Sequence, residues 1–179
     1  MIDSINSLLP YLVIISHGVF VVLLLALIFR YSWGRALQIF LGKHAVLLAC
    51  LVALAAVVGS LFYSEVVGYE PCPLCWWQRV FLYPMALIFW IALWKRTTSA
   101  FLYAVPFALA ATLIAAYHSY IYFGGTSFLP CTALGGSCSK IYVMAFGYIT
   151  IPMMSLTISL YILLLAWADK IYGKDHPHS

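Results

Sequence analysis

The stretch EPCPLCWWQRVFLYP, residues 70–84, joins two kinds of chemistry. Cys72 and Cys75 flank a Pro-Leu pair, and a long apolar run begins directly behind them. Arg79 sits inside the start of that run, four residues after Cys75. Two thiols therefore stand at the mouth of an apolar helix, with a cation one turn deeper.

The rest of the chain says what kind of helix this is. Of 179 residues, 65% are hydrophobic and 8% charged, against about 25% charged in soluble domains. Mean hydropathy is +1.03. With apolar runs near 20 residues, this composition predicts a polytopic membrane protein, and the length suits one membrane domain over 1–179. The expected spans are 9–29, 44–64, 76–95, 100–123 and 141–168, the length that a bilayer core demands. The first has no Lys or Arg ahead of its apolar run and no small-residue cleavage site behind it. It reads as a retained helix, not a signal peptide. No internal repeat or long linker is visible. The tail over 169–179 reads as cytoplasmic, its end KDHPHS as a solvated tail and not a metal site.

Charge predicts orientation. Arg30, Arg35 and Lys43 follow the first span, Lys95 and Arg96 follow the third, and Lys170 and Lys174 follow the fifth. The alternate connections hold only Lys140. The positive-inside rule puts the N-terminus outside and the C-terminus in the cytoplasm. The net charge of +4 thus serves topology and predicts no nucleic-acid partner. Cys72, Cys75, Cys131 and Cys138 then fall on the periplasmic or extracellular face, where disulfides persist.

The five cysteines divide. Cys50 lies about 20 Å below the outer end of its helix and reads as a small apolar side chain. Cys72 and Cys75 form C-x-x-C, a redox pair when a helix N-terminus or a cation lowers a thiol pKa. Both devices are present, because Arg79 shares the helical face of Cys75. A plain disulfide and half of a zinc site are the alternatives. Cys131 and Cys138 sit in LPCTALGGSCSKIY, where Gly135 and Gly136 let a short loop turn back. An accessible disulfide there suits exchange chemistry. Two outer pairs suggest a relay, one meeting a protein partner and one meeting something in the membrane.

Arg79 is expected about 5 Å below the outer membrane surface, and His118 about 7–8 Å. Ionisable groups at such depth mark functional sites. As donors they suit the carbonyl oxygens of a lipid-soluble quinone; anchoring at head groups is the alternative. Trp76, Trp77 and Tyr69 read as an interfacial aromatic belt, and His17 as a satisfied packing histidine. Glu65 and Glu70 are expected to face outer water. Pro84, Pro106 and Pro152 are expected to bend their helices.

SEVVGYEPCPLCWWQRVFLYP resembles the signature segment of the DsbB/BdbC family of disulfide-bond formation proteins, in particular its BdbC branch. YHSYIYF, PCTALGGSCSKIY and FGYITIPMM match in order and spacing, so the resemblance covers about residues 44–168. It implies an all-α fold, an antiparallel four-helix bundle over 44–168, here with one extra N-terminal transmembrane helix over 9–29. It implies an enzyme of the bacterial plasma membrane, a quinone-dependent protein-disulfide oxidoreductase. Such an enzyme oxidises a DsbA-like thioredoxin-fold dithiol partner and passes two electrons to ubiquinone or menaquinone, as in the chain that keeps the bacterial periplasm oxidising. By position, Cys131 forms the mixed disulfide with the partner, and Cys138 resolves it and exchanges with Cys72. Cys75 stands next to the quinone, with Arg79 and His118 as quinone-site residues and no metal. Three rivals remain: a thiol-reducing membrane protein running electrons outward, a non-enzymatic metal-binding protein using four thiolates, and a structural protein with two staples.

Overall fold

The computed structural model describes residues 2–29, 32–97, 99–126, 138 and 140–175. Among them it is all-helical: α1 (Ile2–Ile28), α2 (Ser32–Lys43), α3 (Ala45–Leu61), α4 (Pro73–Lys95), α5 (Ala100–Tyr122) and α6 (Ile151–Asp175). All but α2 are long and apolar enough to cross a membrane, as expected for a polytopic membrane protein.

Small residues decide how these helices meet. Hydropathy cannot do so, because α5 is apolar all round. Along α5, Ala100, Ala104, Ala108, Ala111 and Ala115 are buried, while Leu102 and Leu113 are exposed. Along α3, Ala45, Ala49, Ala53 and Ala56 are buried likewise. In lipid, helices associate through such small-residue seams because they let backbones approach closely. The seams close a ring in which α3 packs on α4, α4 on α5, α5 on α6, and α6 on α3. Phe89, Met85 and Ile162 fill its middle. Cys50 is a free, buried thiol in the same core, as its apolar reading requires.

Three sequence expectations need correction. Segment 30–43 is charged and reads as a connection, yet 32–43 form α2. Its Gly34, Gln38, Leu41 and Gly42 are buried at helical spacing. Gln38 donates to the carbonyls of Ala26 at 2.8 Å and Leu27 at 3.4 Å, groups that the end of α1 leaves unpaired. The last span begins at Ile151, not 141. Phe146 and Gly147 take positive φ, and a bridge pairs Ala145 with Ile149, so the apolar residues before it form a turn. Pro152 lies in the first turn of α6, where its missing N–H costs nothing; it cannot bend that helix. Pro84 and Pro106 are inside α4 and α5 as expected.

A side chain on Gly42 would overlap the Cβ of Tyr172. Gly42→Val is therefore expected to destabilise the docking of α2 on α6 by about 1–3 kcal/mol. A lowered melting temperature in detergent checks it.

Candidate redox-active site

The site is built at the N-terminus of α4. Cys72 is the N-cap residue and Pro73 follows at the first helical position, where a fixed φ suits a helix start. The Cys72 sulfur accepts a hydrogen bond from the Cys75 backbone N–H at 3.4 Å. Cys72 and Cys75 are free thiols with their sulfurs 3.1 Å apart. A disulfide bond of about 2.05 Å needs only a small approach from there.

His118 reaches this pair from α5. Its Nε2 lies 3.6 Å from the Cys72 sulfur and 3.2 Å from the Cys138 carbonyl oxygen. A carbonyl only accepts, so Nε2 carries the hydrogen. Nδ1 then accepts from the Gln78 side-chain amide at 3.4 Å. Gln78 and His118 are both buried. Their chain ties the C-x-x-C helix to the second cysteine segment. Cys72, Leu74, Ile121 and Cys138 form one small buried cluster. Cys138 is disulfide-bonded; Cys131, which the sequence pairs with it in function, lies outside the described residues.

Arg79 is directed inward. Its Nε donates to the Ser60 hydroxyl at 2.9 Å and its Nη2 to the Ser60 carbonyl at 3.1 Å, while its guanidinium lies over the Trp76 ring. Two of its five N–H donors are used by these bonds. Arg79, Cys72, Cys75, Gln78 and His118 all line one cavity of about 210 Å³.

The floor and walls of that cavity come from elsewhere. Ala55, Ala56 and Gly59 of α3 and Met154 and Ile158 of α6 make it mainly apolar. Past Leu61, α3 widens into a π-helical turn, Phe62–Val66. Tyr63 of that turn stacks on Tyr69, and Tyr69 stacks on Tyr142, with ring centroids 5.8 and 4.6 Å apart. Tyr69 thus forms part of the cavity wall, whereas Trp76 and Trp77 are exposed. Tyr122 donates to the Lys140 carbonyl at 2.6 Å and Tyr142 to the Glu70 carbonyl at 3.2 Å, which pins the two loops together. Glu65 and Glu70 are exposed.

The extra helix contributes as well. Leu9 and Val13 of α1 line the cavity. A polar latch docks α1 on α6: His17 Nε2 lies 2.8 Å from the Thr157 hydroxyl, and its Nδ1 3.2 Å from the Tyr148 hydroxyl. Tyr161 donates to the Ser16 carbonyl. Thr157 gives its own hydrogen to Met153, so His17 donates to it from Nε2. His17 is a satisfied packing histidine, as read.

Residues 42–168 match the family model described as disulfide bond formation protein DsbB. The chain belongs to the DsbB family. Membership carries a role in disulfide bond formation. DsbB-family relatives include a probable disulfide formation protein C 2 of Bacillus anthracis, 35% identical over 72% of this chain and 92% of its own. An SPbeta prophage-derived disulfide bond formation protein B of Bacillus subtilis is 38% identical over 63% and 76%. A disulfide bond formation protein C of the same organism is 39% identical over 59% and 78%. No solved structure is matched. The DsbB match leaves out α1 and all but the last two residues of α2.

Sequence reasoning singled out Cys72, Cys75, Cys138, Arg79 and His118, which the structure brings near one another, but missed Ser60, Gln78 and Tyr63. Gln78 carried a signal, since a polar amide sits three residues after Cys75 inside an apolar run. Ser60 carried none.

The geometry has an electrostatic consequence for Cys72. The thiol hydrogen bond from Cys75 holds the Cys72 thiol well below the ordinary range; burial opposes this, and His118 and the Cys75 N–H add to it. A lowered thiol pKa keeps the thiolate as pH falls from the usual midpoint of about 8.5. Thiolate absorbance in the ultraviolet is therefore expected to persist at pH 7 in the reduced protein. In His118→Ala its midpoint is expected to move up toward the ordinary thiol value.

Proposed function

We propose that this chain is a membrane thiol oxidase that takes electrons from a thioredoxin-fold dithiol partner and delivers them to a membrane quinone. One observation carries the reading. Cys138, His118, Cys72 and Cys75 are in continuous contact, and the series ends at a cavity that Arg79 also lines. Exchangeable sulfur lies at one end and room for an apolar acceptor at the other.

The cavity residues fit a quinone. A cavity of about 150 Å³ accepts benzene, and this one is about 210 Å³, mainly apolar, with a guanidinium at its wall. A bound quinone supplies the two-electron acceptor and takes up two protons as it becomes hydroquinone. The chain's own residues do the rest. The partner's thiolate attacks the disulfide of Cys131 and Cys138, and its second thiol completes the partner's disulfide. One of the released thiolates, assigned to Cys138, attacks the Cys72–Cys75 disulfide at Cys72. That leaves Cys75 as a thiolate on the cavity wall. The second thiol of the Cys131 pair then displaces Cys72, so two electrons now sit on Cys72 and Cys75. His118 and the helix N-terminus stabilise Cys72 as leaving group. Low leaving-group pKa speeds such exchange. Arg79 supplies positive charge where an oxygen of the acceptor gains electrons. The cysteine end faces the periplasm or the outside, and α1 is an addition to the four-helix ring.

The test mixes purified protein with a reduced thioredoxin-fold protein and a soluble quinone. Loss of quinone absorbance in step with partner thiols is expected; a flat trace overturns the reading. A second reading rests on one observation, that ligand atoms of Cys72, Cys75 and His118 lie within 4.8 Å of one another. It predicts stoichiometric metal in the purified protein and no quinone turnover. Its four-thiolate form conflicts with a disulfide-bonded Cys138.

A further inference from the structure

Three side-chain oxygens among the described residues are buried without a hydrogen-bond partner: the hydroxyls of Tyr63, Ser119 and Ser155. Tyr63 and Ser155 line the redox cavity. They come from different elements, the π-helical turn and α6, and are 7% and 8% exposed. Buried donors are nearly always paired, because an unpaired one forfeits its hydration without return. Two such hydroxyls, on side chains that line one cavity, point to a ligand that carries oxygen.

The backbone agrees. The turn holding Tyr63 closes with a hydrogen bond from Val67 N–H to the Phe62 carbonyl at 3.0 Å, five residues apart. Such π turns are rare and concentrate at functional sites. Tyr63 itself is held in place by its stack on Tyr69.

Chemistry narrows the ligand group. Arg79 only donates, so it suits an acceptor oxygen alone. A hydroxyl donates or accepts by rotating its hydrogen. Tyr63 and Ser155 therefore fit both forms of a redox ligand, donating to a quinone carbonyl and accepting from a hydroquinone O–H. We propose that the Tyr63 and Ser155 hydroxyls position the quinone by hydrogen-bonding a second ring oxygen, Arg79 serving the first. This rests on the quinone reading above.

The two roles of a hydroxyl, structural and ligand-binding, predict opposite results. Tyr63→Phe and Ser155→Ala each remove an unpaired group with little change of shape. Without quinone, both variants are expected to melt at or above the parent temperature in detergent. With a decyl-substituted benzoquinone, the stabilisation on binding is expected to shrink, and Kd and KM to rise about tenfold for each hydroxyl. Exchange between the cysteines and a reduced thioredoxin-fold protein, followed without quinone, is expected to stay at the parent rate. Parent-like Kd in both variants overturns the assignment. So does a quinone-free melting temperature that falls as far as the affinity does. A parent that shows no shift with the benzoquinone and no reduction of it overturns the quinone reading, and this assignment with it.

Discussion

Replacing Cys75 by serine is expected to reduce quinone turnover to the uncatalysed background while the protein keeps its fold. Serine is nearly isosteric, and Cys75 is half-buried at the cavity wall. The reason for the loss lies in the electron count. Two electrons leave a dithiol only if both sulfurs can join, and Cys72 has Cys75 as its partner at 3.1 Å. The variant has no disulfide at this position, so the reduced partner finds only the disulfide at Cys138. Thioredoxin-fold protein is then expected to be oxidised once per enzyme molecule, and no further. Stopped-flow quinone absorbance, with a thiol count of the partner, distinguishes this from unfolding. Continued multiple turnover in Cys75→Ser would sink the relay.

Arg79→Ala is expected to give the second largest effect, of a different kind. The guanidinium is oriented by the Ser60 hydroxyl and carbonyl, so it meets a ligand oxygen without first being ordered. Hydrogen bonds to charged groups contribute about 1.5–3 kcal/mol, and kcat/KM for quinone is expected to fall about 10- to 150-fold. Exchange among the cysteines without quinone is expected to slow far less, because Arg79 makes no described hydrogen bond to a cysteine and acts on Cys75 through its charge alone. Arg79→Lys keeps the charge but loses the planar fork held by Ser60, and recovery is expected to be partial. Unchanged quinone kinetics in Arg79→Ala would return this residue to a head-group anchor. A fall that slows the quinone-free exchange by as much would mean that it supports the start of α4 instead.

These two variants separate the thiol half of the site from the quinone half. His118 straddles them. Its position on the cavity wall agrees with a place near the acceptor, but its described hydrogen bonds go to Cys72, Gln78 and Cys138. That is why the thiolate titration, and not quinone affinity, is the sharper probe of His118.

Much of this was legible in the residues. Span length and apolarity are summed along the chain, so five crossing helices can be counted without a structure. The face shared by Cys75 and Arg79 follows from helical periodicity alone, whereas the helix starts at Pro73 with Cys72 as its N-cap, three residues before the expected 76. The motif order pointed to the family. What escaped were the features in which apolarity misleads. Residues 141–150 are apolar but turn at Phe146 and Gly147, and residues 32–43 are charged but helical.

The sequence by itself determined the number of helices long and apolar enough to cross a membrane, and it singled out the cysteine pairs, Arg79 and His118 as candidates for redox chemistry. Only the tertiary structure decided that Arg79 is aimed by Ser60, that Gln78 and His118 join the two cysteine segments, that two residues with unpaired hydroxyls line the cavity, and that the extra helix supplies part of its wall. The physical reason is rotation. Periodicity fixes which residues share a face of one helix. Which face meets which neighbour depends on how alanine seams seat five nearly uniform apolar cylinders against one another, and that is a property of the packed set.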